Sequence, residues 1–129
     1  MDAIDTNLIV RYLTGDHPEQ SPQARTVVDG GQVFVPVTVV LEVEWVLRSA
    51  YGYRPEDVAR ALRAFGGLPT VTVEEASIVA EALDLAEKGV DFADALHLGK
   101  SMHCEGFVSF DRKFVKAAQA MGVRKVRQP

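Results

Sequence analysis

Cysteine is almost absent from this chain: Cys104 stands alone. No internal disulfide can form, and the expectation is a small buried thiol in a reducing compartment. Histidine is sparse too, with His17, His97 and His103 scattered at no zinc-ligand spacing. Neither an elbow-like Ser, Cys or His motif nor a glycine-rich loop after a strand-like run occurs, which argues against a covalent nucleophile and against nucleotide cofactors. No apolar run approaches the roughly 20 residues of a membrane span, and the basic-then-apolar pattern of a leader is missing, so a cytoplasmic protein with no membrane partner is expected. Acids are missing from one region: after Asp111 come Arg112, Lys113, Lys116, Arg124, Lys125 and Arg127 with nothing negative between them. Such a run is either a solvated helix face or a rim that attracts phosphates.

What is present describes an ordinary globular domain. The 129 residues are 47% hydrophobic and 25% charged, enough for one domain over 1–129 that buries roughly two-thirds of its unfolded surface. The net charge of −4 argues against a broad basic coat that binds nucleic acid without discrimination.

Periodicity gives the order of elements. A short apolar segment ends at Asp5, and an amphipathic run begins at Leu8 with Thr6 or Asn7 available as cap, which reads as strand, turn, helix. A second helix opens at Pro18 and runs toward Gly30. Val33 to Pro36 reads as a strand, and Thr38 opens a long helix in which Val39, Val43, Val46, Leu47 and Ala50 fall on one side. Pro55 to Gly66 is a helix with proline and acids in its first turn. Thr70 to Val73 is a β-branched strand, and Glu74 opens a helix ending near Gly89. A helix from Asp91 to Cys104, a strand from Gly106 to Phe110, a helix from Asp111 to Met121 and a closing strand from Val123 to Val126 complete the chain. Alternation of this kind predicts an α/β fold with a central, mostly parallel sheet of about five strands and helices on both faces.

In such sheets ligands gather at the carboxyl ends of the strands. Asp5 and Asp111 each follow a strand and should project from one edge, although either could serve only as a helix cap. Asp91 and Asp94 lie three apart at a helix start. Asp91 suits the cap better, while Asp94 sits among small residues with His97 one turn on. On the long helix Glu42 and Glu44 are about 200° apart and cannot easily share a task. Glu44 has Arg48 at i+4 and reads as a surface ion pair, whereas Glu42 has no local cation and needs another partner.

Two carboxylates ~4 Å apart repel by about 4 kcal/mol at an effective dielectric of 20, so clustered acids must protonate, spread apart or bind a cation. Oxygen-only ligands point to Mg²⁺ or Mn²⁺, and such ions suit phosphodiester hydrolysis.

The motifs Ile4-Asp5-Thr6-Asn7, Val35-Pro36-Val37-Thr38-Val39-Val40-Leu41-Glu42, Asp91-Phe92-Ala93-Asp94-Ala95-Leu96 and Ser109-Phe110-Asp111 together resemble a PIN-domain ribonuclease, and within that family a VapC-type toxin of a toxin–antitoxin pair. The resemblance implies that Asp5, Glu42, Asp94 and Asp111 are the acidic quartet that binds Mg²⁺ or Mn²⁺. It makes Asp91 an occasional extra acid and has Asn7 and Ser109 supporting the site by hydrogen bonds. It further implies endoribonuclease activity on an RNA substrate, a homodimer and a cognate antitoxin protein. Two other readings compete. A receiver-like Mg²⁺-binding signalling module would need a phosphate-accepting aspartate after a central strand, and Val33 to Pro36 and Thr70 to Val73 end without one. A catalytically silent PIN-like binding protein would share the fold and lack the chemistry.

Overall fold

A computed structural model describes residues 1–122 and 125–129. Val123 and Arg124, where the closing strand was expected to begin and where one cation of the basic run falls, lie outside the described residues. The chain divides into two compact units, Met1–Ala76 and Ser77–Pro129. Among the described residues there are seven helices and two parallel ladders. The class is α/β, as periodicity predicts. The described strands form a three-stranded parallel ladder in the first unit and a two-stranded parallel ladder in the second, five strands in all.

The first unit holds β1 (Asp2–Ala3), α1 (Thr6–Thr14), α2 (Gln20–Asp29), β2 (Val33–Val35), α3 (Val37–Ser49), α4 (Pro55–Gly66) and β3 (Val71–Val73). Its sheet runs β1-β2-β3, with Asp2 beside Val33, Ala3 beside Phe34, and Val33, Phe34 and Val35 beside Val71, Thr72 and Val73. Two helices separate each strand from the next, the crossover that parallel neighbours require. The sheet is small because β1 carries only two ladder residues. The chain leaves it through Ile4, whose N–H still donates to the Phe34 carbonyl at 3.0 Å.

Why α1 starts where it does is a matter of hydroxyl use. Asp5 is extended (φ −93°, ψ 168°), and its Oδ1 accepts from Thr6 N–H at 2.7 Å. Asp5 is therefore the cap, and neither Thr6 nor Asn7 is, because Thr6 is already helical and its hydroxyl is turned to another carboxylate. Gly15 closes the helix in the left-handed region (φ 62°), which glycine enters without the Cβ penalty. Beyond it Asp16 gathers a polar clamp. Thr14 Oγ1 donates to Asp16 Oδ1 at 2.7 Å, Tyr51 Oη to Asp16 Oδ2 at 2.6 Å, and Arg11 lies 3.3 Å from Oδ1. These bonds tie the end of α1 to the loop after α3, and they hold the Asp16 carboxyl below its ordinary value, the Tyr51 bond most of all.

The core of this unit is aliphatic. Ile9, Val10, Val28, Val33, Val35, Val43, Leu47 and Val58 are all nearly or fully shut off from solvent. The buried stripe of α3 is Val37, Val40, Val43, Glu44 and Leu47. The helix is thus turned relative to the predicted face: Val39 and Val46 are half-buried and Ala50 is exposed. Glu44 moves inside as a result. It was expected as half of a surface pair, yet it is 4% exposed and takes a two-pronged bond from Arg48 Nε and Nη2, the latter at 3.1 Å.

The second unit holds the body of α5 (Ala76–Glu87), then α6 (Phe92–Gly99), β4 (Phe107–Val108), α7 (Arg112–Met121) and β5 (Val126–Arg127). Phe107 pairs with Val126 and Val108 with Arg127. Phe92, Ala95, Leu96 and Leu98 of α6 are buried along with Val79, Leu83, Phe114 and Ala118. At Gly99 an added Cβ would come within 2.8 Å of the Ile78 side chain, so glycine is what lets α6 approach α5 closely. The predicted helix from Asp91 to Cys104 is also shorter. Ser101 Oγ donates to the His97 carbonyl at 2.7 Å and turn bonds follow, such as Cys104 N–H to the Ser101 carbonyl at 2.9 Å. Cys104 falls in these turns and is exposed, contrary to the buried thiol expected. No helix among the described residues is long and apolar enough to cross a membrane.

Candidate functional site

Candidate acids stand in both units, after strands at Asp5 and Asp111 and on or before helices at Glu42, Asp91 and Asp94. In the first unit Asp5 leaves β1 and caps α1 with Oδ1, so its Oδ2 is not spent on the cap. Glu42 is exposed on α3, and its Oε1 accepts from Thr6 Oγ1 at 3.0 Å. Thr6 is 7% exposed and lies next to Asp5 in sequence, so one buried residue fixes Glu42 and follows the capping acid. The sequence reading passed over Thr6 except as a cap. A buried hydroxyl beside the first acid was the available signal, since it needs an acceptor.

A third acid here was also missed. Pro36 precedes α3 and has no side chain able to cap it, and Glu74, just past β3, fills the role: its Oε1 accepts from Val37 N–H at 2.8 Å. Glu74 N–H in turn donates to the Val35 carbonyl at 2.9 Å. The end of β3 thereby fixes the start of the helix that carries Glu42. Asn7, expected to support the site, is exposed in the first turn of α1. Its side chain makes no hydrogen bond among the described residues, and it lines a surface concavity of about 360 Å³ together with Leu8, Arg11, Gln20, Ala24 and Val27.

In the second unit Asp91 caps α6 by accepting from Asp94 N–H at 3.2 Å, and Asp111 caps α7 by accepting from Phe114 N–H at 3.1 Å. Ser109 Oγ accepts from Asp111 N–H at 3.0 Å, while Ser109 N–H donates to the Arg127 carbonyl at 3.0 Å. The turn that presents Asp111 is thus locked to β5. Asp94 is half-buried, and its carboxyl is pushed up from its ordinary value, first by burial and then by the negative charges of Asp91 and Asp111. His97 opposes this only weakly. Asp94 has no ion-pair partner among the described residues. The cations Arg112, Lys113 and Lys116 on α7 are exposed.

Among the described residues none of Asp5, Glu42, Asp91, Asp94 or Asp111 takes part in an ion pair. Within each unit, no three acids or histidines among the described residues stand close enough to hold a metal ion as they are. Each unit carries carboxylate oxygens that no cation neutralises among the described residues: Asp5 and Glu42 in one, Asp94 and Asp111 with Asp91 in the other. The donor chemistry fits a hard divalent cation.

An α/β protein with carboxylates held at strand ends and helix N-termini is thereby defined. The chain belongs to the PIN domain family, whose model matches residues 3–120 and so spans all of these acids. PIN domains are in general metal-dependent nucleases, which makes a hydrolase the coarse assignment. No individual curated protein matches the chain.

Proposed function

We propose that this protein is a Mg²⁺- or Mn²⁺-dependent endoribonuclease and the toxin of a type II toxin–antitoxin pair, a single PIN domain whose metal-binding and catalytic acids are Asp5, Glu42, Asp94 and Asp111. The observation that supports the metal dependence is that Asp5, Glu42, Asp94 and Asp111 are carboxylates without an ion-pair partner among the described residues, the Asp94 carboxyl being raised by burial and then by Asp91 and Asp111. A divalent ion held by these acids would activate water and neutralise charge developing on the phosphate. The chain's own residues do the positioning. Thr6 orients the Glu42 carboxylate, Ser109 holds the turn that carries Asp111, and Glu74 fixes the start of α3. Arg112, Lys113 and Lys116 supply positive charge that attracts the phosphate backbone. Asp91 is an accessory acid, occupied first as a cap.

Incubating the purified protein with structured RNA, with and without EDTA, tests the activity. Cleavage should require the divalent ion. Equal cleavage in both tubes, or none with any divalent ion, refutes it. The toxin assignment and the antitoxin partner predict a small neighbouring reading frame whose product binds this chain and suppresses cleavage, and a homodimer predicts twice the chain mass in solution.

One observation favours a catalytically silent binding protein instead, namely that neither unit by itself gathers three ligands. Metal titration separates the two readings: the enzyme binds Mg²⁺ or Mn²⁺ and loses that binding with Asp94→Asn, whereas the silent protein takes up no metal.

A further inference from the structure

Hydrophobic packing does not by itself decide how α3 is turned about its own axis. Val37, Val40, Val43 and Leu47 are buried, and Val39, Leu41 and Val46, which point elsewhere around the helix, are half-buried. A helix this apolar on several faces can exchange one inward face for another with little loss of burial. Glu42 nevertheless has to stand at a set place, since its Oε1 accepts from Thr6 Oγ1 at 3.0 Å. Side-chain atoms lie roughly 5–6 Å from a helix axis, so a turn of about 10° already carries a carboxylate by about 1 Å. Something besides packing must fix the rotation.

Glu74 is placed to do so. It lies just past β3 and holds the Pro36 corner on both sides: its backbone N–H donates to the Val35 carbonyl at 2.9 Å, and its side-chain Oε1 accepts from Val37 N–H at 2.8 Å. Pro36 has neither an N–H nor a capping side chain, so the corner is closed from the end of the neighbouring strand. That end is firm, because β3 pairs with β2 from Val71 to Val73. Directly afterwards Glu75 takes φ 51°, the one non-glycine residue in the left-handed region among the described residues. A glutamate there carries strain that glycine would not, and strain of this kind persists where the surrounding structure dictates the backbone. The chain turns away at Glu75 while Glu74 stays bonded to both sides of Pro36.

We infer that Glu74 is a positioning residue for Glu42: by clasping the Pro36 corner it sets the rotation of α3 and so delivers the Glu42 carboxylate to Thr6. The inference rests on the reading of Glu42 as a metal ligand, but its first test needs no metal. In NMR spectra of the metal-free protein, Glu74→Ala should shift the Glu42 carboxyl carbon and the Thr6 methyl, and Glu74→Gln, whose amide oxygen still accepts from Val37, should leave both in place. Calorimetric titration with Mn²⁺ should find Glu74→Ala binding about ten- to hundred-fold more weakly than the parent, as is usual when the support of a metal ligand is removed, and Glu74→Gln close to the parent. Glu44→Gln controls for a merely structural role: it lowers the melting temperature through the same helix and should leave the Mn²⁺ affinity unchanged. Should Glu74→Ala not fold, Glu74→Asp, one methylene further from Val37 N–H, should give the same shifts and the same loss.

Unmoved Glu42 and Thr6 resonances, or parental Mn²⁺ affinity in Glu74→Ala, overturns the inference. So does a loss that Glu74→Gln or Glu44→Gln shows equally, because the missing clasp would then not be its cause. Shifted resonances in a protein whose parent binds no divalent ion would leave the positioning standing and sink the metal reading instead.

Discussion

Glu42 and Glu44 are two residues apart on one helix, and their environments assign them opposite consequences on mutation. Glu44 is 4% exposed and held by both Nε and Nη2 of Arg48, whereas Glu42 is exposed and receives one hydroxyl from Thr6. Glu44→Gln keeps the shape and removes the charge from a bidentate, charge-assisted bond. Because Arg48 is about a third exposed, with 35% of its side chain accessible, water compensates it in part. The loss should be about 1–2 kcal/mol, or roughly 4–8 °C in melting temperature for a chain of this size. Arg48→Ala is the harsher perturbation, since it strips Glu44 of the guanidinium, and should cost about 2–4 kcal/mol. Glu42→Gln should stay within about 0.5 kcal/mol of the parent, because an amide oxygen still accepts from Thr6. Activity should show the inverse pattern: Glu42→Gln abolishes metal-dependent cleavage, and Glu44→Gln cleaves at nearly the parental rate per folded molecule. Thermal melts read beside the EDTA-controlled RNA assay decide it. A Glu44→Gln protein that melts normally and does not cleave would mean that the buried glutamate is the metal ligand and that the argument from exposure fails.

Three further predictions rest on other parts of the fold. The Asp16 carboxyl lies below its ordinary value, first through the Tyr51 bond. Its contribution is therefore present above the unfolded aspartate range and lost as pH falls through the lowered folded value. Tyr51→Phe should make acid unfolding begin at higher pH, and an unchanged acid midpoint by circular dichroism would dispose of the clamp. Asp94 runs the other way: its carboxyl is raised by burial, Asp91 and Asp111, so whatever stability it contributes when neutral is lost as pH rises through the raised value. Asp94→Asn should melt higher than the parent at neutral pH without metal and gain nothing on adding Mg²⁺, and a parental response to Mg²⁺ would clear Asp94 of metal binding. Gly99→Ala puts a Cβ 2.8 Å from the stiff, branched Ile78 side chain and should cost about 1–3 kcal/mol, relieved by Ile78→Ala in the double variant if the clash is the cause.

Helix starts were legible wherever chemistry is local. Proline and acids at Pro55 to Asp57 mark α4, and Asp91 and Asp111 cap the helices they precede. The order of strands and helices was readable for the same reason. The rotation of α3 was not, because valines and leucines surround much of that helix and several faces look equally apolar in sequence. Burial of Glu44 follows from that rotation and could not be read from its i+4 spacing to Arg48, which surface and buried pairs share. The extent of the strands was less legible than their order. Runs such as Gly106 to Phe110 have strand composition, but a ladder also needs a neighbour, and only Phe107 and Val108 find one. Cys104 was misjudged from the habits of its residue type, with no local pattern to place it, and it lies in turns begun by Ser101. Within the candidate site the acids that follow strands were legible from the alternation. Thr6 and Glu74 were not, because each acts across more than thirty residues of sequence, on Glu42 and Val37 respectively.

Capping and metal binding, which compete as explanations for Asp5, Asp91 and Asp111 in the sequence, are compatible in the structure. A cap needs one carboxylate oxygen, and each of these residues spends Oδ1 on it. The cap bond fixes the side chain's rotamer before any cation arrives, so less side-chain entropy remains to be lost on binding than for an acid free in solution. Glu42 reaches the same state through Thr6. Asp94 is the exception: its own N–H is donated to Asp91, while its carboxyl is raised first by burial and then by two neighbouring acids. Asp94 has neither full solvation nor an ion-pair partner among the described residues, and that uncompensated cost is what a bound divalent ion would repay.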